Sequence, residues 1–302
     1  MNQAVSSPGS IAERVRFMLR HYQELELPKL VALSSYVLFV LHGFDHDLVQ
    51  IAAGLSLLAF VLDRQLILCW WFWAPIALTS SFALWQTWEN TGNHMYLITY
   101  WTWVMTAALV LPHQAGHVIT VNARFLVVFI FLVAVFQKIM SSTYLSGEAF
   151  EMQLLHANRF RDFSAIFGIP GETLALARDQ IDFLRSPAFD VEGNQVLIPS
   201  DDHVKRLAFW LTWYDLVVQF LIGAAFLVRR RAFDIIGHAA LLGFIVTTYF
   251  WVQITAFGWL ITLLGLTLAR QNMRGLDVVY MGCLALLVVF QVPLASLVTR
   301  FL

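Results

Sequence analysis

The chain has 302 residues, of which 59% are hydrophobic and 13% charged. Soluble domains run at about 45–50% apolar and about 25% charged, so this composition excludes an ordinary soluble fold and points to lipid as the solvent. A formal net charge of −1 gives no basic footprint for nucleic acid, which is not expected as a partner.

Residues 1–28 interleave Arg14, Arg16 and Arg20 with Ile11, Val15, Phe17 and Leu19. That pattern fits a cytoplasmic amphipathic segment at the membrane interface better than a cleaved leader. Runs of about 20 apolar residues, fewer where helices tilt, predict nine spans. The first five, within 29–140, are 29–43, 47–62, 66–87, 94–112 and 119–140; the last four, within 206–302, are 206–229, 232–251, 254–270 and 276–299. A tight polar turn from His42 to Asp47 separates the first two, because one continuous helix would overshoot a bilayer. Residues 141–205 carry more acids than bases, with Pro187 and Gly193-Asn194 among them, and are expected to fold as an external cap. The predicted fold is therefore an all-α integral membrane protein, a bundle of about nine transmembrane helices with one cap segment.

Orientation follows from the basic residues, because short cytoplasmic loops retain Lys and Arg. With nine spans, Lys29, Arg64, Arg229-Arg230-Arg231, Arg270 and Arg274 all fall at one end, with the N-terminal arginines. The opposite short loops hold Asp45, Asp47 and Glu89 and no Lys or Arg. The N-terminus is expected in the cytoplasm and the C-terminus outside, in the plasma (inner) membrane of a bacterium. Cys69 and Cys283 lie in apolar runs without CxxC spacing and read as small buried hydrophobes.

Charged groups inside apolar helices are costly and become the functional candidates. Lys138 closes the fifth span in Phe136-Gln137-Lys138-Ile139-Met140. It is either a lysine reaching out to headgroups or a desolvated amine available as a base. Asp215, expected near mid-membrane in the sixth span, either bonds Gln219 one turn later or a neighbouring helix, or shares a polar cavity with Lys138. His94 opens the fourth span on the same predicted face as Lys138; it is a capping or headgroup contact or a proton shuttle. His113 and His117 have the four-residue spacing of a metal pair, but Pro112 and Gly116 make that segment a predicted loop, and no metal is expected there. His238 is expected to bond a neighbouring carbonyl or hydroxyl. Trp70, Trp71, Trp73, Trp101, Trp103 and Trp251 lie near span ends, as in an aromatic belt. GxGxxG, Walker A, HExxH and GxSxG motifs are absent from the sequence, so soluble nucleotide-dependent chemistry is not supported.

An ordered set of short motifs resembles a known family. Asn93-His94-x-Tyr96-Leu97 is followed by a span, by Arg124 and an apolar helix ending in Lys138, and then by Tyr144 and Gly147. Leu211 to Leu216 places an Asp-Leu pair in a span that ends in basic residues, and Phe257-Gly-Trp-Leu-Ile is similar to the family's aromatic-rich eighth helix. Together these cover most of residues 90–270 and resemble the horizontally transferred transmembrane (HTTM) family, which contains the vitamin K-dependent γ-carboxylases. The resemblance implies that Lys138, matching one of two adjacent lysines in the carboxylase pattern, is the base that deprotonates a hydroquinone. His94 and Asp215 would complete the catalytic set, and Tyr144, Phe257 and His113 would contact the cofactor. The implied cofactor is reduced vitamin K or another quinol, with O2 and CO2 as co-substrates. Oxygen turns the reduced quinone into a strong base that removes a glutamate γ-proton so that CO2 adds, on a peptide or protein substrate. One departure stands: Thr247-Thr248 occupy the place of the family's His and Asn pair. Two other functions stay open, a non-enzymatic accessory membrane protein for peptide export, maturation or immunity, and a quinone-interacting oxidoreductase subunit.

Overall fold

The computed structural model describes residues 26–42, 46–157, 160–184, 200–249, 252, 255–273 and 275–291. The predicted N-terminal amphipathic segment through Leu25, the Gly43 to Asp45 turn, Pro187, Gly193-Asn194, Trp251, Arg274 and the last turns of the ninth span lie outside them. The described residues are almost entirely helical and contain no strand. Apolar residues dominate every long helix, and a helix is the structure that satisfies its own backbone donors and acceptors within one segment.

The chain divides into two compact units, the boundary falling after Ile119. The first contains α1 (Leu27–His42), α2 (Asp47–Leu62), a 3-10 turn (Arg64–Leu68), α3 (Trp70–Thr87), α4 (Asn93–Val110) and a second 3-10 turn (Pro112–Gln114). Its core contains two tryptophans. Trp73 is fully buried and donates to the Ile67 carbonyl at 2.8 Å, and Trp101 is equally buried and donates to Ser35 Oγ at 2.8 Å, tying α4 to α1. The aromatic-belt expectation fails for these two residues because each indole N–H finds a partner inside the unit, which removes the penalty for full burial. Trp70, Trp71 and Trp103 are exposed.

The helix α5 (Ala115–Ile139) leads into the second unit, which begins at Thr120. Four short helices follow, α6 (Ser142–Leu145), α7 (Glu148–His156), α8 (Arg161–Ile166) and α9 (Gly171–Leu184), and then α10 (Asp202–Leu227), α11 (Arg231–Tyr249), α12 (Thr255–Asn272) and α13 (Leu276–Gln291). Asp201 starts α10 by accepting from the Val204 N–H at 2.8 Å, the ordinary N-cap bond. The short helices bury an apolar cluster in which Leu154, Leu155, Phe163 and Leu174 pack with Val204 and Ala208 of α10. Deeper in the unit, Phe131 of α5 meets Phe244 of α11 edge-on at 5.4 Å. A Cβ at Gly223 of α10 would lie 2.7 Å from Leu132 Cδ2 of α5, so glycine there permits close helix packing.

Pro112–Ile139, Asp202–Leu227 and Arg231–Tyr249 are long and apolar enough to cross a membrane; α1, α2 and residues Leu276–Leu287 are shorter apolar helices. At 1.5 Å per residue, α10 is about 39 Å long against a hydrocarbon core of about 30 Å. Large apolar side chains face outward, among them Leu62 at 78% exposed, Phe136 at 65% and Trp210 at 69%. Lipid removes the penalty that water would impose on such faces. Cys283 is buried and Cys69 half-buried, both as free thiols.

Gly147 links the short helices to α10. Its φ is +89°, a region that other residues reach at a cost, and an added Cβ would sit 3.3 Å from the backbone N and Cα of Phe209. Gly147→Ala is expected to lower stability by about 1–3 kcal/mol, read as a downward shift of the thermal unfolding midpoint in detergent. An unchanged midpoint would mean that α7 can move off α10 freely.

Candidate functional site

The second unit brings Lys138, Asp215 and Tyr144 together, with Gln219 as a fourth member. Lys138 stands in the last turn of α5, where a cation meets the partly negative C-terminal end of the helix. Asp215 and Gln219 are four residues apart on α10 and therefore share one face. Tyr144 sits on α6, whose first turn is set by Ser141 Oγ accepting from the Tyr144 N–H at 3.3 Å.

Lys138 Nζ donates to Asp215 Oδ2 and, at 2.9 Å, to Gln219 Oε1. The Tyr144 hydroxyl donates to the same Oδ2, and Gln219 Nε2 donates to Oδ1 at 2.7 Å. The ammonium also lies 5.0 Å from the centre of the Tyr144 ring, within cation–π range. Side-chain exposure is 20% for Lys138 and 13% for Asp215, so the pair is largely withdrawn from solvent while the amine keeps some access. Burial first, and then the neighbouring carboxylate, push the Tyr144 hydroxyl above its ordinary range, so it remains a proton donor to Asp215. The Tyr144 hydroxyl and the Lys138 ammonium thus converge as donors on one carboxylate oxygen of Asp215.

Asp215 does bond Gln219 one turn on, and it also shares a polar site with Lys138. The helix runs from Asp202 to Leu227, and Val204 and Ala208 near its start pack into the apolar cluster of α7 to α9. Asp215 lies at the middle of α10, beside the end of α5 where Lys138 stands.

Of the other candidates, His94 and His113 belong to the first unit and Phe257 to the second. His94, in the first turn of α4, belongs to the first unit, where its ring folds back over Gly92: a Cβ there would be 2.8 Å from His94 Cε1. His113 is exposed in the second 3-10 turn, and His117 is exposed in the first turn of α5, not in a loop. Among the described residues no group of three or more His, Cys, Asp or Glu is arranged to hold a metal. Phe257, near the start of α12, packs edge-on against Tyr249 at 6.1 Å.

A second polar cluster in the same unit is not anticipated as a pair by the sequence. Arg124 Nη2 of α5 is 2.9 Å from Asp234 Oδ1 of α11, and Arg124 Nη1 donates to the Phe226 carbonyl at 3.1 Å. Beside it, His238 Nδ1 is 2.9 Å from the Tyr280 hydroxyl, the hydroxyl partner expected for that histidine. The available signal is an arginine and an aspartate each set in an apolar helix, which must pair or reach water. Comparison with family models, with curated proteins and with solved structures finds no match to this chain, so the functional reading rests on the residues themselves.

Proposed function

We propose that the chain is a multi-pass membrane protein of the HTTM family in which Lys138, Asp215 and Tyr144 form a proton-transfer centre acting on a lipid-soluble hydroquinone. In this reading nine helices span the membrane, the N-terminus is cytoplasmic, the C-terminus is external, and residues 141–205 form a cap over the external end. The observation that carries it is the sharing of one carboxylate oxygen by the Lys138 ammonium and the Tyr144 phenol. The donor set suits a phenolic hydroxyl: an amine with some access, a phenol held as a donor, and the aromatic rings of Tyr144 and Phe150 5.6 Å apart beside it. A bound quinol, reduced vitamin K or a relative, would supply the oxygen-dependent chemistry by which CO2 is added to a glutamate side chain. For Lys138 to act as the base, its ammonium would first pass a proton to Asp215 Oδ2, and the freed amine would then accept the quinol proton, with Gln219 fixing both groups and Tyr144 connecting the site to the cap.

One feature favours the accessory reading instead. Both carboxylate oxygens of Asp215 are occupied and the Lys138 ammonium has two acceptors, as a structural staple between α5, α6 and α10 requires. The two readings part in an assay on membranes containing the chain, given reduced vitamin K, O2, labelled bicarbonate and a glutamate-rich peptide. Lys138→Ala is expected to reduce label incorporation by about 100-fold or more while the chain stays in the membrane fraction. Full incorporation by that variant ends the enzymatic reading. The accessory reading predicts that function depends more on exposed apolar cap residues, such as Ile166 and Leu176, so Ile166→Asp and Leu176→Asp would abolish it.

A further inference from the structure

The first unit contains a cavity that the Lys138 chemistry does not use. Its volume is about 690 Å³, inside the range of about 300–1,000 Å³ usual for small-ligand sites. It opens where the start of α1, the end of α2 and the first 3-10 turn come together. Leu33, Phe60, Val61, Ile67 and Leu68 give it an apolar wall, Gln65 adds an amide, and Lys29 and Arg64 are the charged residues that line it, with no carboxylate among the described lining residues.

Both cations are available. The partner of Lys29 is Glu26 at 3.8 Å in an exposed pair, a type of contact that contributes little. Arg64 is exposed and makes no ion pair among the described residues. The neighbouring Asp63 is engaged as the cap of the 3-10 turn, accepting from the Gln65 N–H at 2.9 Å. Beyond the turn, Trp70 and Trp71 are exposed at 48% and 49%, the amphipathic side chains favoured at headgroup level. Val61 and Leu62, exposed at 69% and 78%, continue the apolar wall outward along α2.

We propose that this cavity binds an anionic phospholipid, its phosphate between Lys29 and Arg64 and the start of an acyl chain against Leu33, Phe60 and Val61. Two cations and the Gln65 amide on a mostly apolar wall match an anion that carries hydrocarbon. A free phosphate would leave the wall unused, and a zwitterionic lipid would offset the two charges with its own cation. Basic pockets at the ends of membrane helices recognise anionic headgroups on this principle. The site depends on the chain crossing a membrane and not on any activity of Lys138.

The test uses the full chain purified in a mild detergent, with bound lipid read by native mass spectrometry. Phosphatidylglycerol is expected to be retained about tenfold or more over phosphatidylcholine. Lys29→Gln/Arg64→Gln should weaken phosphatidylglycerol retention on the order of 30-fold. Leu33→Trp should displace the acyl chain and lose the lipid with both cations intact. Lys29→Arg/Arg64→Lys should keep it, which separates lost recognition from lost folding. Inorganic phosphate at millimolar concentration should leave the lipid in place. Equal retention of the two lipids, retention by the glutamine double variant, or displacement by inorganic phosphate would each overturn the proposal. Failure of the chain to fractionate with membranes is a separate result that overturns the membrane reading itself.

Discussion

Asp215→Leu is expected to destabilise the protein by about 3–5 kcal/mol, and Lys138→Met by a similar amount, whereas the double variant Lys138→Met/Asp215→Leu loses less than the two singles together, because no charge is left unpaired although Tyr144 and Gln219 still lack their acceptor. Removing the carboxylate strands three donors at once, the Lys138 ammonium, the Tyr144 hydroxyl and the Gln219 amide. Removing the lysine leaves a largely buried carboxylate with two neutral donors and no counter-charge. Replacing both with apolar groups of similar length removes the desolvation cost together with the attraction, so the pair term appears as positive coupling in the cycle. Denaturant or thermal unfolding in detergent micelles measures the four corners. Strict additivity of the single losses would show that the two groups do not depend on each other, and the site would lose its central pair.

The same four proteins separate staple from catalyst. If Lys138 and Asp215 only hold α5, α6 and α10 together, the double variant regains function along with stability. If Lys138 moves a proton, the double variant refolds well but stays inactive, because neither methionine nor leucine accepts one. Stability and activity diverge in only one of these cases. Neither measurement needs the cofactor to be identified in advance, provided any quinol-dependent turnover can be followed.

Much of the helical framework is legible in the sequence because apolar runs are long and turns are polar. Each of the nine predicted segments contains a helix among the described residues, and α2 starts at Asp47 with His46 extended before it. Boundaries are less legible. Hydropathy begins the sixth segment at 206, but Asp201 caps α10 several residues earlier, and Val204 of the added turn packs against the short helices. Hydropathy alone cannot distinguish burial under short helices from burial in lipid. Trp73 shows a related ambiguity, since a tryptophan near a helix end suits a headgroup region or a core equally until the Ile67 carbonyl is seen beside it, whereas Trp101 stands at the middle of α4 and bonds the Ser35 hydroxyl. Lys138 and Asp215 are each recognisable as costly charges, and their separation of 77 residues leaves only chemistry to suggest that they meet. For Arg124 and Asp234 even that suggestion is weak, because Asp234 follows three arginines and resembles an ordinary loop-end acid.

Arg124→Met is expected to cost about 3–5 kcal/mol and to loosen the junction between α10 and α11 first. The guanidinium makes two contacts that a single point charge cannot replace. One nitrogen holds the Phe226 carbonyl, which lies in the last turn of α10 and has no continuing helix to satisfy it. The other pairs with Asp234 in the first turn of α11, where an acid also suits the positive end of the helix. Side-chain exposure of 15% for Arg124 and 11% for Asp234 keeps water from taking over either role. Arg124→Lys should therefore recover only part of the loss, since an ammonium lacks the fork that reaches both acceptors. Arg124→Met/Asp234→Leu should recover more stability than Arg124→Met alone, while still leaving the Phe226 carbonyl without its donor. Hydrogen exchange read along the chain is the decisive measurement. Protection at residues 224–236 should fall in Arg124→Met before it falls at Lys138, and a uniform loss across the second unit would show that Arg124 acts through global stability and not as a clasp on this helix pair.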